Sequence, residues 1–310
     1  MRVTRAYSPS GISSVFEILD RKKDGTPILN PLKIGARGGG YVIARGVKTE
    51  VRVEKNRKDK ITVHLNGQLS KEARTTETVA RMILKRANVH AKVSVYHSIE
   101  PPMGCGYGTS AAGSLSAALA LCEALDLEMT YNQIGQVAHV SEVKCRTGLG
   151  TVGPLMVGGH VITTRGGAPG FNVIDRIPVD ANYRIVTGWF GPILTRTVLS
   201  NQTYKSRITK YGRRAIEDVL KKPTPENFLV ICRKFAENVG FMTERLRRLL
   251  SAMESNGAIG ATQNMLGEAG HALVEEGKEK RVYEATRRFL PRGQIFSTTI
   301  DFQGVRPLKV

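Results

Sequence analysis

Alternating apolar and polar residues predict several β-strands in the first third of the chain. They are residues 51–53, 61–65 and 91–98, and a further run that begins at Tyr41. Residues 75–87 have apolar side chains at helical spacing and predict a helix between two of these strands. Residues 1–17 predict a short strand followed by a turn at residues 8–11. This order of elements indicates an α+β fold with a mixed or antiparallel sheet.

The second half of the chain predicts mostly helices, at residues 200–221, 224–238, 242–255 and 280–290. Thr224 followed by Pro225 is a typical helix start, because the first helical N–H needs no partner within the helix. Strands predicted at residues 183–190 and 294–301 flank these helices. We therefore expect two domains, residues 1–178 and residues 179–310.

A glycine-rich loop that leads into a helix lies at residues 100–127. Gly104, Gly106 and Gly108 are followed at once by Thr109 and Ser110. The first N–H groups of such a helix lack partners and the helix dipole adds positive charge, so the loop is suited to bind phosphate. Helical spacing in the run that follows predicts an amphipathic helix with one buried stripe, formed by Leu115, Leu119, Cys122 and Leu125.

This loop differs from the two common phosphate-binding motifs. No Lys follows Gly108, as the Walker motif requires, and Thr109 stands where the dinucleotide motif has its third glycine. Small residues also permit close helix packing, but the order of loop, hydroxyls and helix favours a nucleotide. The expected phosphate contacts come from Pro102, Gly104, Gly106, Gly108, Thr109, Ser110, Ala111 and Ala112.

Two further glycine-rich segments contain candidate binding residues. A helix predicted at residues 131–143 carries His139 and Glu142 just before a glycine turn, and residues 155–164 then predict a strand that ends at Arg165. Arg37 lies beside three glycines, and its planar guanidinium suits a carboxylate or phosphate. The ordinary alternatives are a half-buried histidine, a solvated glutamate and surface arginines.

Composition narrows the class of protein. The chain has 310 residues, is 41% hydrophobic and carries a formal net charge of +19, which attracts anions such as ATP or a nucleic-acid backbone. Its four cysteines form no C-x-x-C pair, so neither zinc nor disulfides are expected. No apolar run is long enough to span a membrane, and the N-terminus lacks a signal-peptide core. We expect a protein of the reducing cytoplasm with no membrane partner.

Four segments together resemble the GHMP kinases, and among them the archaeal pantoate kinase branch. They are KIGARGGG (33–40), PPMGCGYGTSAAGSLS (101–116), HVSEVKCRTGLGTVG (139–153) and ATQNMLGEAG (261–270). The resemblance implies an N-terminal ribosomal-protein-like α/β domain and a C-terminal ferredoxin-like α+β domain. It also implies a kinase that uses ATP and Mg²⁺ to phosphorylate the primary hydroxyl of pantoate in archaeal coenzyme A biosynthesis.

The same resemblance implies roles for single residues. Ser110 would contact the phosphates and Mg²⁺, and Glu142 would be the carboxylate that holds Mg²⁺. The candidates for binding the carboxylate of the acceptor are Arg37, His139 and Arg165. The expected catalytic residues are Ser110, Glu142 and Thr151.

Two positions depart from the family pattern. Thr151 stands where the branch has Asp, and Ala36 stands where it has Ser. The missing Asp would assist the acceptor hydroxyl or the metal. Three interpretations stay open: catalysis by proximity and charge alone, another acceptor similar to homoserine or mevalonate, or loss of activity.

A nucleic-acid-binding protein is the rival class, because the N-terminal GHMP domain resembles a ribosomal-protein fold and the charge suits RNA. Aromatic residues make up only 6% of the chain, and no RNA-binding motif occurs in it. A phosphate-binding loop would also have no purpose there. We therefore expect a small-molecule acceptor, with a homodimer left open as the assembly.

Overall fold

A computed structural model describes residues 1–22, 24–193, 198 and 201–309. Two long antiparallel strands, β1 (Arg2–Leu19) and β2 (Gly35–Lys55), form its centre. The turn predicted at residues 8–11 is wrong, because these residues lie within β1. Pro9, which has no N–H to donate, lies beside a bulge in the pairing of the two strands, so the strand continues past it.

The larger sheet is mixed, as predicted. Its further strands are β3 (Lys60–Leu65), β4 (Gln68–Leu69), β5 (Ala91–Ile99), β6 (His160–Arg165), β7 (Val173–Arg176) and β12 (Arg306–Leu308). The strand order is β12–β1–β2–β5–β3–β4, and β6 pairs with the first part of β2 and with β7. β3 runs parallel to β5, and the other described pairs in this sheet are antiparallel.

Helices pack against this sheet around one central helix. They are α1 (Arg74–Ala87), α2 (Thr109–Ala124), α3 (Tyr131–Cys145) and α4 (Val152–Val157). The single buried stripe predicted for α2 is wrong, since 13 of its 16 residues are buried. Most of its residues are Ala, Ser, Gly or Leu, so β1, β2, α1 and α3 can all pack closely around it. The glycine loop is therefore followed by a helix held on all sides.

The strand predicted at residues 155–164 is correct only in its second half. The segment begins inside α4, and β6 starts at His160. Gly158 and Gly159 separate the two elements with φ of 75° and 91°, a region that favours glycine. A Cβ at Gly158 would also lie 2.7 Å from the carbonyl oxygen of Asp301.

The helices of the second half follow the predicted order, but its sheet contains two strands, β9 (Gly260–Gln263) and β10 (Gly267–Val274), that were not predicted. With β8 (Arg184–Pro192) and β11 (Ile295–Thr299) they form an antiparallel sheet in the order β11–β8–β10–β9. The helices are α5 (Gln202–Lys221), α6 (Pro225–Val239), α7 (Glu244–Ser255) and α8 (Glu279–Thr286). Thr224 caps α6 as predicted, whereas residue 200, where the first of these helices was expected to begin, lies outside the described residues. No helix in the described ranges has both the length and the apolar character needed to cross a membrane.

One buried apolar cluster joins the two sheets. It contains Ile12 of β1, Ile208 of α5 and Phe228 of α6. The turn between β9 and β10 lies against β1, where the Met265 N–H donates to the Ser13 carbonyl at 2.8 Å. The chain end also returns to the first sheet, since β12 pairs with β1. The boundary between residues 178 and 179 stays a prediction.

Candidate active site

A cavity of about 640 Å³ lies where the glycine loop faces the second half of β1 and the beginning of β2. The segment after α3 and the β9–β10 turn complete its walls. The cavity thus brings together the four segments that carry the family resemblance. Three arginines, Arg37, Arg74 and Arg146, line it against one acidic side chain among the described lining residues, Glu72. This excess of positive charge suits anionic ligands.

The glycine loop presents the N-terminus of α2 to the cavity. Gly108 is the N-cap residue with φ of 61°, and no described side chain caps the helix. The first backbone N–H groups can therefore bind an anion. Gly106 has φ of 81°, and a Cβ there would lie 2.8 Å from the Cβ of Asn264 in the β9–β10 turn. Glycine is required at this position both by the backbone angle and by the close contact.

Glu142 lies beside this helix start. Its Oε1 accepts hydrogen bonds from the Ser110 Oγ at 2.5 Å and from the Thr147 Oγ1 at 2.7 Å. The residue is 3% exposed. Burial raises the pKa of the Glu142 carboxyl, and the two hydroxyl hydrogen bonds oppose this effect. A Cβ at Gly148 would lie 2.2 Å from the Glu142 Oε2, so glycine makes room for the carboxylate.

Thr75, which was not predicted as a site residue, adds a third hydroxyl to this cluster. Its Oγ1 lies 3.2 Å from the Thr147 Oγ1 and 3.4 Å from the Ser110 Oγ. Thr75 is the second residue of α1, a helix that the sequence predicted but did not connect to the site. Helical spacing shows which face of a helix is apolar, and it does not show where the helix begins relative to a distant loop.

The oxygen atoms of this cluster fit a magnesium ion. Within the described residues, no three His, Cys, Asp or Glu side chains come together as a metal cluster. Mg²⁺ does not need such a cluster, because it usually binds one or two carboxylates and substrate phosphates and keeps several waters. Glu142 and the hydroxyls of Ser110 and Thr147 are oxygen donors of this kind next to a phosphate-binding helix terminus.

Thr151 lies between the glycine loop and β1. It lines the cavity and is the N-cap residue of α4, although its side chain makes no capping hydrogen bond. Its Cγ2 would be 2.8 Å from a Cβ at Gly108 and 3.3 Å from one at Gly11. The position at which the family resemblance implies Asp therefore lies at the cavity. In this chain it is Thr151, whose side chain carries a neutral hydroxyl.

Arg37 also lines the cavity and is held by a buried carboxylate. Its Nε donates to the Glu17 Oε2 at 2.7 Å, and the Arg213 Nε donates to the Glu17 Oε1 at 2.8 Å. Glu17 and Arg37 are directly opposite each other in the pairing of β1 with β2. Neither Glu17 nor Arg213 was predicted as a site residue, because their pairing with each other and with Arg37 depends on strand register and on where α5 packs.

Two of the expected acceptor residues lie outside the cavity lining. His139 is buried, and its Nε2 is 2.9 Å from the Ile34 carbonyl oxygen. Burial lowers the pKa of His139, so the neutral ring fixes the segment before β2. Arg165 is exposed, and its Nε donates to the Phe171 carbonyl at 2.9 Å.

Three of the expected phosphate contacts also lie outside this lining. Pro102 borders a separate surface cavity, and Ala111 and Ala112 are buried in the apolar core. Gly104, Gly106, Gly108, Thr109 and Ser110 do line the cavity. The stretch at residues 8–11, which was interpreted as a turn, contributes Gly11 to the cavity as part of β1.

Comparison with known proteins identifies the family of the chain. Residues 74–159 match the family described as GHMP kinases N terminal domain. The chain is 31% identical to a pantoate kinase of Thermococcus kodakarensis over 89% of each protein. It is 32% identical to a pantoate kinase of Methanocaldococcus jannaschii, with 84% of this chain and 89% of that protein covered.

A solved structure with a similar fold supports the same family. The structure described as "Phosphotransferase related to CoA biosynthesis pathway" superimposes with a TM-score of 0.85 at 27% identity, over 99% of this chain and 98% of that chain. The α+β GHMP kinase fold expected from the sequence is thereby confirmed. The chain belongs to the GHMP kinase superfamily and, within it, to the pantoate kinase family.

Proposed function

We propose that this protein is an ATP-dependent kinase that transfers the γ-phosphoryl group to the primary hydroxyl of pantoate and forms 4-phosphopantoate and ADP. The observation that carries the proposal is the meeting of the α2 N-terminus, Arg37 and the hydroxyls of Ser110 and Thr147 at one cavity, with the buried Glu142 accepting from both hydroxyls behind its lining. The pantoate kinases among its relatives support pantoate as the acceptor. The description of the solved relative supports a place in coenzyme A biosynthesis.

The nucleotide end of the site is the glycine loop. The backbone N–H groups after Gly108 bind the phosphates, and the Ser110 hydroxyl contacts them from the first turn of α2. Glu142 and Ser110 would hold Mg²⁺, which neutralises phosphate charge when bound. A carboxyl must be ionised to serve as a ligand, and burial raises the pKa of Glu142, so Mg²⁺ binding is favoured as pH rises through that pKa.

The acceptor end of the site is Arg37. A guanidinium is suited to bind the pantoate carboxylate and thereby to orient the primary hydroxyl. Thr151 cannot act as a base at neutral pH, and Glu72, the one acidic side chain of the described lining, is exposed to solvent. We therefore propose transfer by positioning and charge stabilisation, which are the main requirements of phosphoryl transfer. The hydroxyl proton leaves to solvent in this scheme.

A direct test is an acceptor screen that measures ADP release with ATP–Mg²⁺ and a set of hydroxy acids. We expect pantoate to give the highest kcat/KM, above homoserine and mevalonate. Preference for either of the other two acceptors would reject pantoate while leaving kinase activity in place. ADP release that no acceptor stimulates would reject the proposed reaction.

A further inference from the structure

We propose that Glu17 is a positioning residue that orients Arg37 toward the acceptor carboxylate, and that Arg213 holds Glu17 in place from helix α5. This inference rests on the proposed function and adds Glu17 and Arg213 to the acceptor end of the site. It also assigns α5, in the second half of the chain, a part in binding the acceptor.

Glu17 connects two arginines from distant parts of the chain. Arg37 on β2 and Arg213 on α5 each donate their Nε to one of its two oxygens, at 2.7 Å and 2.8 Å. The Glu17 side chain is 2% exposed, whereas those of Arg37 and Arg213 are 24% and 61% exposed. The terminal Nη groups of both arginines make no hydrogen bond to the described residues, so Arg37 keeps donors for a ligand.

Two glycines permit this arrangement, each next to one of the arginines. A Cβ at Gly38 would lie 2.3 Å from the Val15 carbonyl oxygen, and one at Gly212 would lie 2.0 Å from the Phe16 carbonyl oxygen. β2 and α5 can therefore approach the same end of β1 from two directions. The pair Arg37-Gly38 and the pair Gly212-Arg213 are the sequence features that bring both guanidiniums to Glu17.

The charges of the three residues match a monoanionic acid. A buried carboxylate is costly unless it is paired, and Glu17 is paired at both oxygens. Two guanidiniums against one carboxylate leave one positive charge in excess beside the cavity. Because the Nε of Arg37 is fixed, its remaining fork is held in one plane for a carboxylate ligand.

The variant Glu17→Gln separates orientation from charge. It removes a negative charge beside Arg37, so a purely electrostatic role predicts tighter binding of the acid. Our proposal predicts the opposite, because the amide accepts from only one arginine and Arg37 loses its fixed plane. We expect the KM for pantoate to rise about ten- to hundredfold, the value of one charge-assisted hydrogen bond, with little change in the KM for ATP.

Arg213→Gln tests the same proposal without replacing a buried residue. Arg213 is exposed and lies outside the described cavity lining, so this variant is expected to fold normally. It removes the excess charge and releases one oxygen of Glu17. The KM for pantoate should rise several-fold, while the KM for the neutral amide of the same acid stays unchanged.

A matched control is available on the same sheet. Glu50 also accepts from the Nε of two arginines, Arg5 and Arg52, each at 2.8 Å, and it lies away from the cavity. Glu50→Gln should leave both KM values unchanged. Pantoate turnover with an unchanged KM in Glu17→Gln and Arg213→Gln would overturn the role of Glu17 alone. Absence of turnover of any hydroxy acid by the wild type would overturn the proposed function, and this inference with it.

Discussion

Glu142 is the residue at which function and stability oppose each other. Burial raises the pKa of its carboxyl above the ordinary value of 4.5. In the unfolded chain this carboxyl ionises near the ordinary value. The stability that the group contributes is therefore fully present below that pH and is lost as pH rises through the raised folded pKa. Ionisation of this buried carboxyl therefore costs stability in the unliganded protein, a cost that a bound cation would offset.

Glu142→Gln should therefore abolish turnover and yet stabilise the unliganded protein. The amide oxygen can still accept from Ser110 and Thr147, and the amide cannot ionise, so the cost of ionising a buried carboxyl is gone. We expect the Tm at pH 7 to rise by about 2 °C or more, and the gain to vanish below the ordinary glutamate pKa. Thermal melts of both proteins across this pH range measure the effect. A variant that melts below the wild type at pH 7 would contradict it.

Thr151→Asp should raise kcat for pantoate with little change in the KM for ATP. The new carboxylate would lie at the cavity between the glycine loop and β1, where it can assist the acceptor hydroxyl. General-base assistance is worth about 10²–10⁴-fold when well placed, so a gain of several-fold is expected.

Thr151→Asn is the matched control for this change. Asn is similar to Asp in size and caps the N-terminus of α4 as well as Asp does, but it is not a base. Steady-state kinetics of both variants, with melts to show equal capping, separate the two effects. If the Asp and Asn variants have the same kcat, the site works without a carboxylate at this position.

At the scale of elements, the glycine loop is held by the β9–β10 turn. A Cβ at Gly267 would lie 2.4 Å from the carbonyl carbon of Cys105, and Gly106 approaches Asn264 with similar closeness. The loop that precedes α2 is therefore shaped by residues of the other sheet. Its geometry depends on contact between the two halves of the chain.

Gly106→Ala should abolish the rise in Tm that ATP–Mg²⁺ gives the wild type. The added Cβ would collide with Asn264 and move the loop. Gly277→Ala is the control, because Gly277 has φ of 87° against 81° for Gly106 but no atom within 4 Å of its Cβ position. Both variants carry the strain of a left-handed alanine, about 1 kcal/mol. If ATP–Mg²⁺ raised the Tm of both variants equally, the glycine loop would not be part of the nucleotide site.

Two buried histidines differ in whether their ring nitrogens have hydrogen-bond partners. His97 on β5 is satisfied, with Thr49 Oγ1 at 2.8 Å from its Nδ1 and Thr76 Oγ1 at 3.0 Å from its Nε2. His160 on β6 stacks on Tyr41 with ring centroids 4.2 Å apart, and neither of its nitrogens has a partner among the described residues. Burial lowers the pKa of His97 to about 4, and burial with nearby His271 lowers the pKa of His160 to about 3.

His160→Phe should stabilise the protein, and His97→Phe should destabilise it. Phenylalanine keeps the stacking at His160 and removes two unpaired polar atoms. At His97 it leaves the Thr76 hydroxyl without its partner, a loss of about 1–3 kcal/mol, whereas the Thr49 hydroxyl keeps the Ser116 hydroxyl at 2.6 Å. Because the folded pKa of His160 is lowered, its stability contribution is present above the ordinary pKa of 6.5 and is lost as pH falls. Melts from pH 7 to pH 4 should therefore show a flatter decline for His160→Phe. A steeper decline would contradict the account.

Across the whole molecule, local sequence patterns predicted where helices and strands lie more accurately than they predicted which elements pack together. The helix start at Thr224 was correct because capping is a local property. The turn expected at residues 8–11 and the single stripe of α2 were wrong because both depend on partners far along the chain. Pairing with β2 keeps β1 extended through Pro9, and elements on every side bury α2.

In the candidate site, too, local motifs were predictable and contacts between distant residues were not. The glycine loop was visible in the sequence, and the resemblance implied Ser110 and Glu142, which the structure places in contact. The Glu17–Arg213 contact was not predictable, because it joins residues 196 positions apart through the packing of α5 on β1. The hydrogen bond of the buried His139 to the Ile34 carbonyl was also not predictable, because the sequence does not show which carbonyl a single histidine will contact.

The most direct test of the proposed function is to identify the product formed from ATP–Mg²⁺ and pantoate. Mass spectrometry with parallel ADP measurement should show pantoate carrying one added phosphoryl group, in an amount equal to the ADP released. Gly106→Ala should form neither product under the same conditions. ADP that accumulates equally without pantoate, or pantoate that stays unmodified while ADP forms, would contradict the account.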